Sequence, residues 1–270
     1  FKFRQQWMKL KAYANENGIQ IIGDIPIYVA MDSADTWANP WLFKLDEKNC
    51  PTQVAGCPPD GFSATGQLWG NPLYNWEVHR NSGYEWWIKR ISNCFRLYDV
   101  VRIDHFRGFD EYYAIPYGDK TAENGWWEKG PGIDLFRAIS ARLGDREIIA
   151  EDLGYMTDSV KQLVEESGYP NMKVIEFAFD ERDTGNASDY LPHNYPRNCV
   201  VYTGTHDNET LVSWLEDITP AERRQVREYL NNFRDSGKEL CQDLICLVMR
   251  SVANLCIIPM QDYLGLDNSA

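Results

Sequence analysis

The sequence predicts an α/β fold, a parallel sheet with crossover helices, and three observations carry that reading. Short apolar runs rich in Val and Ile alternate with stretches of helical periodicity. No two of those runs are joined by a strong hairpin turn, so consecutive strands are expected to run parallel. Four of the runs end in an acid, Asp24, Asp104, Glu151 and Asp207. In a parallel barrel all four ends lie on one rim, so carboxylates far apart in sequence converge.

Residues 1–17 read as an amphipathic helix with Phe3, Trp7, Leu10 and Ala14 on one face, closed by Gly18. The run IQIIGDIPIYV at 19–29 is the first strand. Pro26 cannot donate a ladder hydrogen bond, so this strand is expected to end near Gly23. Residues 30–84 are irregular and rich in Pro, Gly, Asn and Trp, as expected of a long loop or small subdomain beside the sheet's mouth. The loop-rich insert is set at 36–84 inside one unit, 1–270. A helix at 85–97 leads into the strand YDVVRID at 98–104, where Arg102 and Asp104 share a face because side chains alternate along a strand. An arginine beside an aspartate keeps the carboxylate ionised.

Further on, a helix at 132–143 precedes a strand at 147–150, and a helix at 158–166 is capped by Thr157 or Asp158 and stopped before Gly168. Residues 172–179 alternate as a strand, and 199–202 form another that runs into GTHDN. The segment Thr219-Pro220-Ala221-Glu222 opens a capping-box helix expected to reach about residue 235. An apolar helix at 241–251 and a strand at 254–260 complete a set of six strands.

The net charge of −13 disfavours a nucleic-acid or phosphate surface, which needs clustered Lys and Arg. A neutral or cationic ligand fits better, and the ten Trp and fifteen Tyr are compatible with sugar stacking. Seven cysteines, an odd number without a C-x-x-C pair, read as reduced thiols in a cytosolic setting. No run approaches the roughly 18–20 apolar residues of a membrane span, so no membrane contact is expected. No signal peptide is visible, and because Phe1 opens inside a predicted helix the chain reads as a piece of something longer. A cytoplasmic location is expected, with a plastid possible if a targeting segment precedes Phe1.

Several carboxylates and no need for a cofactor or metal point to glycosyl transfer. One acid must be ionised as nucleophile and a second must stay protonated to donate to the leaving oxygen. Asp104, next to Arg102, suits the nucleophile. Glu151 follows Ile148-Ile149-Ala150, an apolar approach that raises its pKa and suits a general acid. Asp207 with His206 could bind sugar hydroxyls and steady the cationic transition state. Isolated acids at strand ends are usually caps, and His79 and His193 read as surface or core histidines without a role.

The blocks RIDHFRG (102–108), AEDLG (150–154) and GTHDNET (204–210) resemble three signature blocks of glycoside hydrolase family 77, the 4-α-glucanotransferases. Residues 23–40, 58–76 and the final DYLGLDNSA resemble further blocks, so the likeness covers essentially the whole chain in order. It implies an incomplete (β/α)8 TIM barrel holding strands three to eight. It also implies a retaining double displacement with Asp104 as nucleophile, Glu151 as acid/base and Asp207 as transition-state stabiliser. By position, Arg102, His105, His206 and Asn208 would contact the sugar. Asp60 and Trp69 would lie on a mobile loop lining the cleft, with Asp24 and Asp32 nearer the donor side. The implied partners are malto-oligosaccharides, glucose and dextrins derived from amylose or glycogen; nothing implies an oligomeric state. One departure is Gly61, where similar enzymes often carry an aromatic that stacks on the acceptor sugar; Phe62 is the substitute at hand.

Three other readings compete. An α-amylase-like hydrolase would use the same acids. A metal-dependent barrel hydrolase would need Asp104, His105, Glu151, His206 and Asp207 as ligands, but H-x-H and H-E-x-x-H spacings are missing. A carbohydrate-binding scaffold without turnover would not need all three acids.

Overall fold

A computed structural model describes residues 1–61, 63–154, 156–180, 187–233 and 236–269. The chain divides into two units, Phe1–Tyr169 and Pro170–Ala270.

The first unit opens with α1 (Lys2–Glu16) and β1 (Ile22–Pro26), followed by α2 (Ala34–Ala38), β2 (Gln53–Cys57), β3 (Gln67–Pro72), α3 (Trp76–Asn81) and α4 (Glu85–Leu97). Then come β4 (Val100–Asp104), β5 (Glu111–Pro116), β6 (Trp126–Lys129), α5 (Ile133–Leu143), β7 (Ile148–Ala150) and α6 (Asp158–Ser167). Strands β1, β4 and β7 run parallel, with Asp24 opposite Arg102, Pro26 opposite Asp104 and Ile103 opposite Ala150. Every residue of β4 except Asp104 is buried, as a strand covered on both faces requires.

Contrary to the sequence expectation, β1 does not stop near Gly23 but continues through Asp24 to Pro26. Among the described residues β1 pairs on one side only, with β4, and an edge strand tolerates a proline whose missing N–H faces away from the ladder. Arg90 of α4 ties the chain just beyond, donating to the Pro26 carbonyl at 2.7 Å and the Ile27 carbonyl at 2.9 Å.

The expectation of an all-parallel arrangement is also incomplete. Strands β3, β2, β5 and β6 form a four-stranded antiparallel sheet in that order. It takes two strands from the stretch 36–84 and two from 111–129, so the second sheet is not built from that stretch alone. Gly56 is needed where β2 crosses its neighbours, because a Cβ there would stand 2.1 Å from the Gln67 carbonyl and 2.5 Å from Ile115.

The apolar face of α4 buries Trp87, Ile88 and Ile91. Trp87 is sealed completely and meets the rings of Tyr74, Trp86 and Phe109 at 5.2–5.4 Å. His79, wholly buried among the same rings, bonds the Leu42 carbonyl and is pushed by burial down to about 4, a neutral core histidine. On α1, by contrast, Phe3 and Leu10 stay exposed. Trp7 anchors that helix by donating to the Leu97 carbonyl at 2.8 Å.

In the second unit β8 (Asn171–Val174), β9 (Cys199–Tyr202), α7 (Leu211–Asp217), α8 (Pro220–Leu230), α9 (Gly237–Met249), β10 (Leu255–Ile257) and α10 (Met260–Leu264) follow in order. The strands pair in parallel, β8 with β9 and β9 with β10. The strand expected over 172–179 ends at Val174 and tightens into a 3-10 turn, Ile175–Phe179. The capping box forms as expected, with Thr219 and Glu222 exchanging bonds. That helix stops short of residue 235 because Asn231 turns left-handed at φ 51°. All seven cysteines are free thiols. Among the described residues no helix is long and apolar enough to cross a membrane.

Replacing Trp87 by Ala is expected to destabilise the fold by roughly 3–5 kcal/mol through loss of burial and an unfilled cavity. The same change at the exposed Trp37 should stay within about 0.5 kcal/mol. Denaturant midpoints of the two variants check the contrast.

Candidate active site

At the mouth of the first unit's parallel strands, Arg102 projects from β4 and is only 6% exposed. Its guanidinium joins two carboxylates, donating to Asp24 Oδ2 at 2.6 Å and Asp104 Oδ1 at 3.2 Å. The register explains the geometry: Asp24 faces Arg102 across β1 and β4, and Asp104 lies two residues along the same strand. Burial opposes the cation while the charges of Asp24, Glu151 and Asp104 hold it, and its pKa rises. The two aspartates keep their outer sides open, with side-chain exposures of 43% and 41%.

Glu151 follows β7 by one residue and is 8% exposed. Its carboxylate accepts from the backbone N–H of Leu153 and of His105, each at 2.7 Å. Burial first, and the Asp104 charge second, push it up to about 7, against the smaller opposing pull of those N–H groups and Arg102. Two carboxyls at one mouth are thus held differently, one beside a guanidinium and one in a dry pocket.

The N–H of His105 reaches Glu151 because His105 adopts a left-handed backbone, φ 55°. A non-glycine residue in that region is strained, and such strain collects at functional sites. The next residue reinforces the link, with the Phe106 N–H donating to the Glu151 carbonyl at 2.8 Å. The His105 imidazole, driven down to about 3 by burial and the nearby Arg107, is neutral.

Trp69 meets the His105 ring edge-on at 4.8 Å and Tyr28 at 6.2 Å, making an aromatic wall beside the acids. Its position differs from expectation, since Trp69 lies on β3 and not in a loop. Asp60 does lie in the loop between β2 and β3, exposed, and caps its own turn by accepting from the Ser63 N–H at 2.7 Å. Phe62 lies outside the described residues. Asp32 sits exposed in the turn ahead of α2. Tyr28 is not among the residues expected at the site; its signal is an aromatic near the end of the apolar run 19–29, two residues past Pro26.

The other three expected residues belong to the second unit, in the turn after β9. The side chains of His206 and Asp207 are 70% and 74% exposed, with Nε2 and Oδ2 3.6 Å apart. Asn208 shapes the turn from within, its Oδ1 accepting from the Thr205 N–H at 2.9 Å and hydroxyl at 2.8 Å. Asp262 of α10, 1% exposed, anchors the base of this turn by accepting from the Thr203 hydroxyl at 2.6 Å and the Leu211 N–H at 2.7 Å. Asn268 accepts from the Thr210 N–H at 2.8 Å. Neither anchor was singled out in the sequence. Glu176, buried in the 3-10 turn after β8, is a further acid at a strand end that the alternating pattern concealed. Among the described residues no group of three or more His, Cys, Asp or Glu could hold a metal ion.

The raised Glu151 carboxyl has a consequence for stability. Its folded value of about 7 lies above the ordinary 4.5, so the folded state holds the proton more tightly and stability is lost as pH rises through that interval. Glu151→Gln should therefore unfold at a higher temperature than the parent above pH 7. The gain should shrink toward zero as pH falls to 4.5. A gain independent of pH would refute this. Thermal melts of both proteins across the range measure it.

The family model of 4-alpha-glucanotransferases, glycoside hydrolase family 77, matches residues 1–270. A 4-alpha-glucanotransferase of Streptococcus pneumoniae is 52% identical over 269 residues, 99% of this chain and 52% of that protein. One from Clostridium butyricum is 50% identical over 272 residues, 100% of this chain and 55% of that protein. The structure of an amylomaltase from Streptococcus agalactiae in complex with acarbose superposes with a TM-score of 0.92 at 44% identity, covering 98% of this chain and 52% of that one. This chain spans about half the length of the curated relatives it matches. It belongs to glycoside hydrolase family 77, the 4-alpha-glucanotransferase family.

Proposed function

We propose that the protein transfers an α-1,4-glucan segment from a donor malto-oligosaccharide to the 4-hydroxyl of glucose or another glucan by a retaining double displacement. The observation that carries this reading is the unequal pair at the first unit's mouth. Asp104 shares a buried guanidinium, and Glu151 sits in a dry pocket that pushes its carboxyl up to about 7. An ionised nucleophile beside a protonated acid is what glycosyl transfer without a cofactor requires.

In the first step an Asp104 carboxylate oxygen attacks the anomeric carbon. The glycosidic bond breaks as Glu151 gives its proton to the leaving 4-oxygen, and a glucosyl ester remains on Asp104. In the second step an acceptor 4-hydroxyl attacks the same carbon while the Glu151 carboxylate takes its proton, and the ester bond breaks. Two inversions give net retention. The backbone N–H groups of His105 and Leu153 stabilise the Glu151 carboxylate after the proton has gone, since they bond its charged form.

Water competes with the acceptor for the ester. The wall of Trp69, Tyr28 and neutral His105 lowers water access and favours an acceptor held by its own binding energy. From the family blocks we assign Asp207 the charge that steadies the transition state and Arg102, His105, His206 and Asn208 the sugar contacts. Asp24 and Asp32 belong to the donor side, Asp60 and Trp69 to the stretch 36–84 lining the cleft. We further read β1, β4, β7, β8, β9 and β10 as strands three to eight of a (β/α)8 barrel. Seven free thiols favour a reducing compartment, and we place the protein in the cytoplasm or a plastid.

The full-length protein incubated with maltotriose is expected to release glucose and build longer maltodextrins without a fall in total glycosidic bonds. Asp104→Asn should lower that turnover by roughly a thousandfold or more while oligosaccharide binding persists. Hydrolysis to glucose and maltose alone, or near-normal turnover in the variant, would overturn the reading. Product chromatography and calorimetric binding separate these results.

A further inference from the structure

Glu176 is a buried acid that plays no part in the mechanism above. It lies in the 3-10 turn directly after β8, in the apolar run VIEFAF, and is 4% exposed. Its Oε1 is buried without a hydrogen-bond partner among the described residues. A fold rarely leaves a carboxylate oxygen in that condition, because removing a charge from water without compensation is costly.

Strands β8 and β9 pair as far as Val174 opposite Tyr202, and the 3-10 turn that follows brings the Glu176 carboxyl against Gly204, at the start of the turn holding His206 and Asp207. A Cβ built on Gly204 would stand 3.1 Å from Glu176 Oε1 and 3.3 Å from the Asn208 Cβ. The missing side chain at 204 is thus the space in which the Glu176 carboxyl and Asn208 flank the backbone. The turn they flank is small and internally bonded, through Asn208 Oδ1 to Thr205 and the Asp207 N–H to the Thr205 hydroxyl at 3.2 Å.

We propose that Glu176 is a positioning residue, a neutral carboxylic acid that props Gly204 and so holds the turn carrying His206 and Asp207, and that the turn shifts when this acid ionises. The positioning claim rests on the role assigned above to Asp207. The groups that act most strongly on it disfavour charge. Burial first, then Asp262 on α10 and Glu209 in the turn, push the carboxyl up to about 9. Two elements pack on the same 3-10 turn: helix α8, which carries Glu222, Arg223, Arg224, Arg227, Glu228 and Tyr229, and the short 3-10 turn Ala187–Tyr190, which carries Asp189 and Tyr190. Of these, Glu222 accepts from the Thr219 N–H and Arg223 donates to the Leu215 carbonyl.

The test compares the full-length protein with Glu176→Gln, a neutral isostere, and Glu176→Ala, which removes the prop. In the parent, the amide signals of Thr205 and Asn208 should titrate near 9, and kcat/KM should show a second descending step there beyond the one from Glu151 near 7. Glu176→Gln should keep neutral-pH turnover and the step near 7 while losing both signatures near 9. Glu176→Ala should lower kcat by roughly ten- to a hundredfold with a smaller change in KM, a loss that Gln does not share. Amide signals that do not move near 9 in the parent, or a Gln variant with unaltered profiles, would overturn the proposal. If the parent transfers no glucan at any pH, the functional reading fails by itself, and the amide titration still decides whether the turn answers to Glu176.

Discussion

The candidate site depends on one buried cation. Arg102 stands nearly out of water with a carboxylate on either side, Asp24 across the strand pair and Asp104 along its own strand. A guanidinium in that position is tolerable only when paired, and an unpaired one would be strongly destabilising. The pairing works in both directions. It holds the acids at fixed distances from a planar fork, and it permits two like charges to share one strand mouth. Remove the cation and the mouth holds three acids, Asp24, Asp104 and Glu151, without the guanidinium that joins the first two.

The difference between Asp104 and Glu151 then follows from where each is attached. Asp104 is the last residue of β4, beside the guanidinium and open on its outer side. Glu151 has just left β7, enclosed, with its oxygens on two backbone N–H groups. One of those N–H groups is available only because His105 accepts a left-handed backbone. The strain at one residue is therefore part of how a second residue is held. The same economy governs the second unit, where Asn208, Asp262 and Asn268 spend their bonds on the turn and leave His206 and Asp207 exposed.

Much of this was legible in the sequence because the signals were local. The apolar run into Arg102 and Asp104 is dictated by strand alternation, and the Thr219–Glu222 capping box by its own spacing. What stayed hidden depends on partners far along the chain. Strands β2 and β3 are short, carry glycine and lack alternation, and they become strands because β5 arrives more than forty residues later to pair with β2. The end of β1 is hidden because Pro26 reads as a stop until β1 is seen to pair on one side only, where a proline is tolerated. Glu176 was concealed because VIEFAF has the look of a buried strand, and only the 3-10 turn brings its acid against Gly204.

The central claim is that Asp104 becomes covalently bonded to the sugar while Glu151 moves the proton. The most direct measurement is to trap that species. Full-length protein would be treated with a fluorinated glucosyl fluoride that forms the ester faster than it releases it, then digested and sequenced by mass spectrometry. The account predicts one hexosyl adduct on the peptide containing RIDHFRG, with the added mass on Asp104. An adduct on Glu151, Asp207 or any other residue, in a preparation that retains transfer activity before labelling, would contradict it.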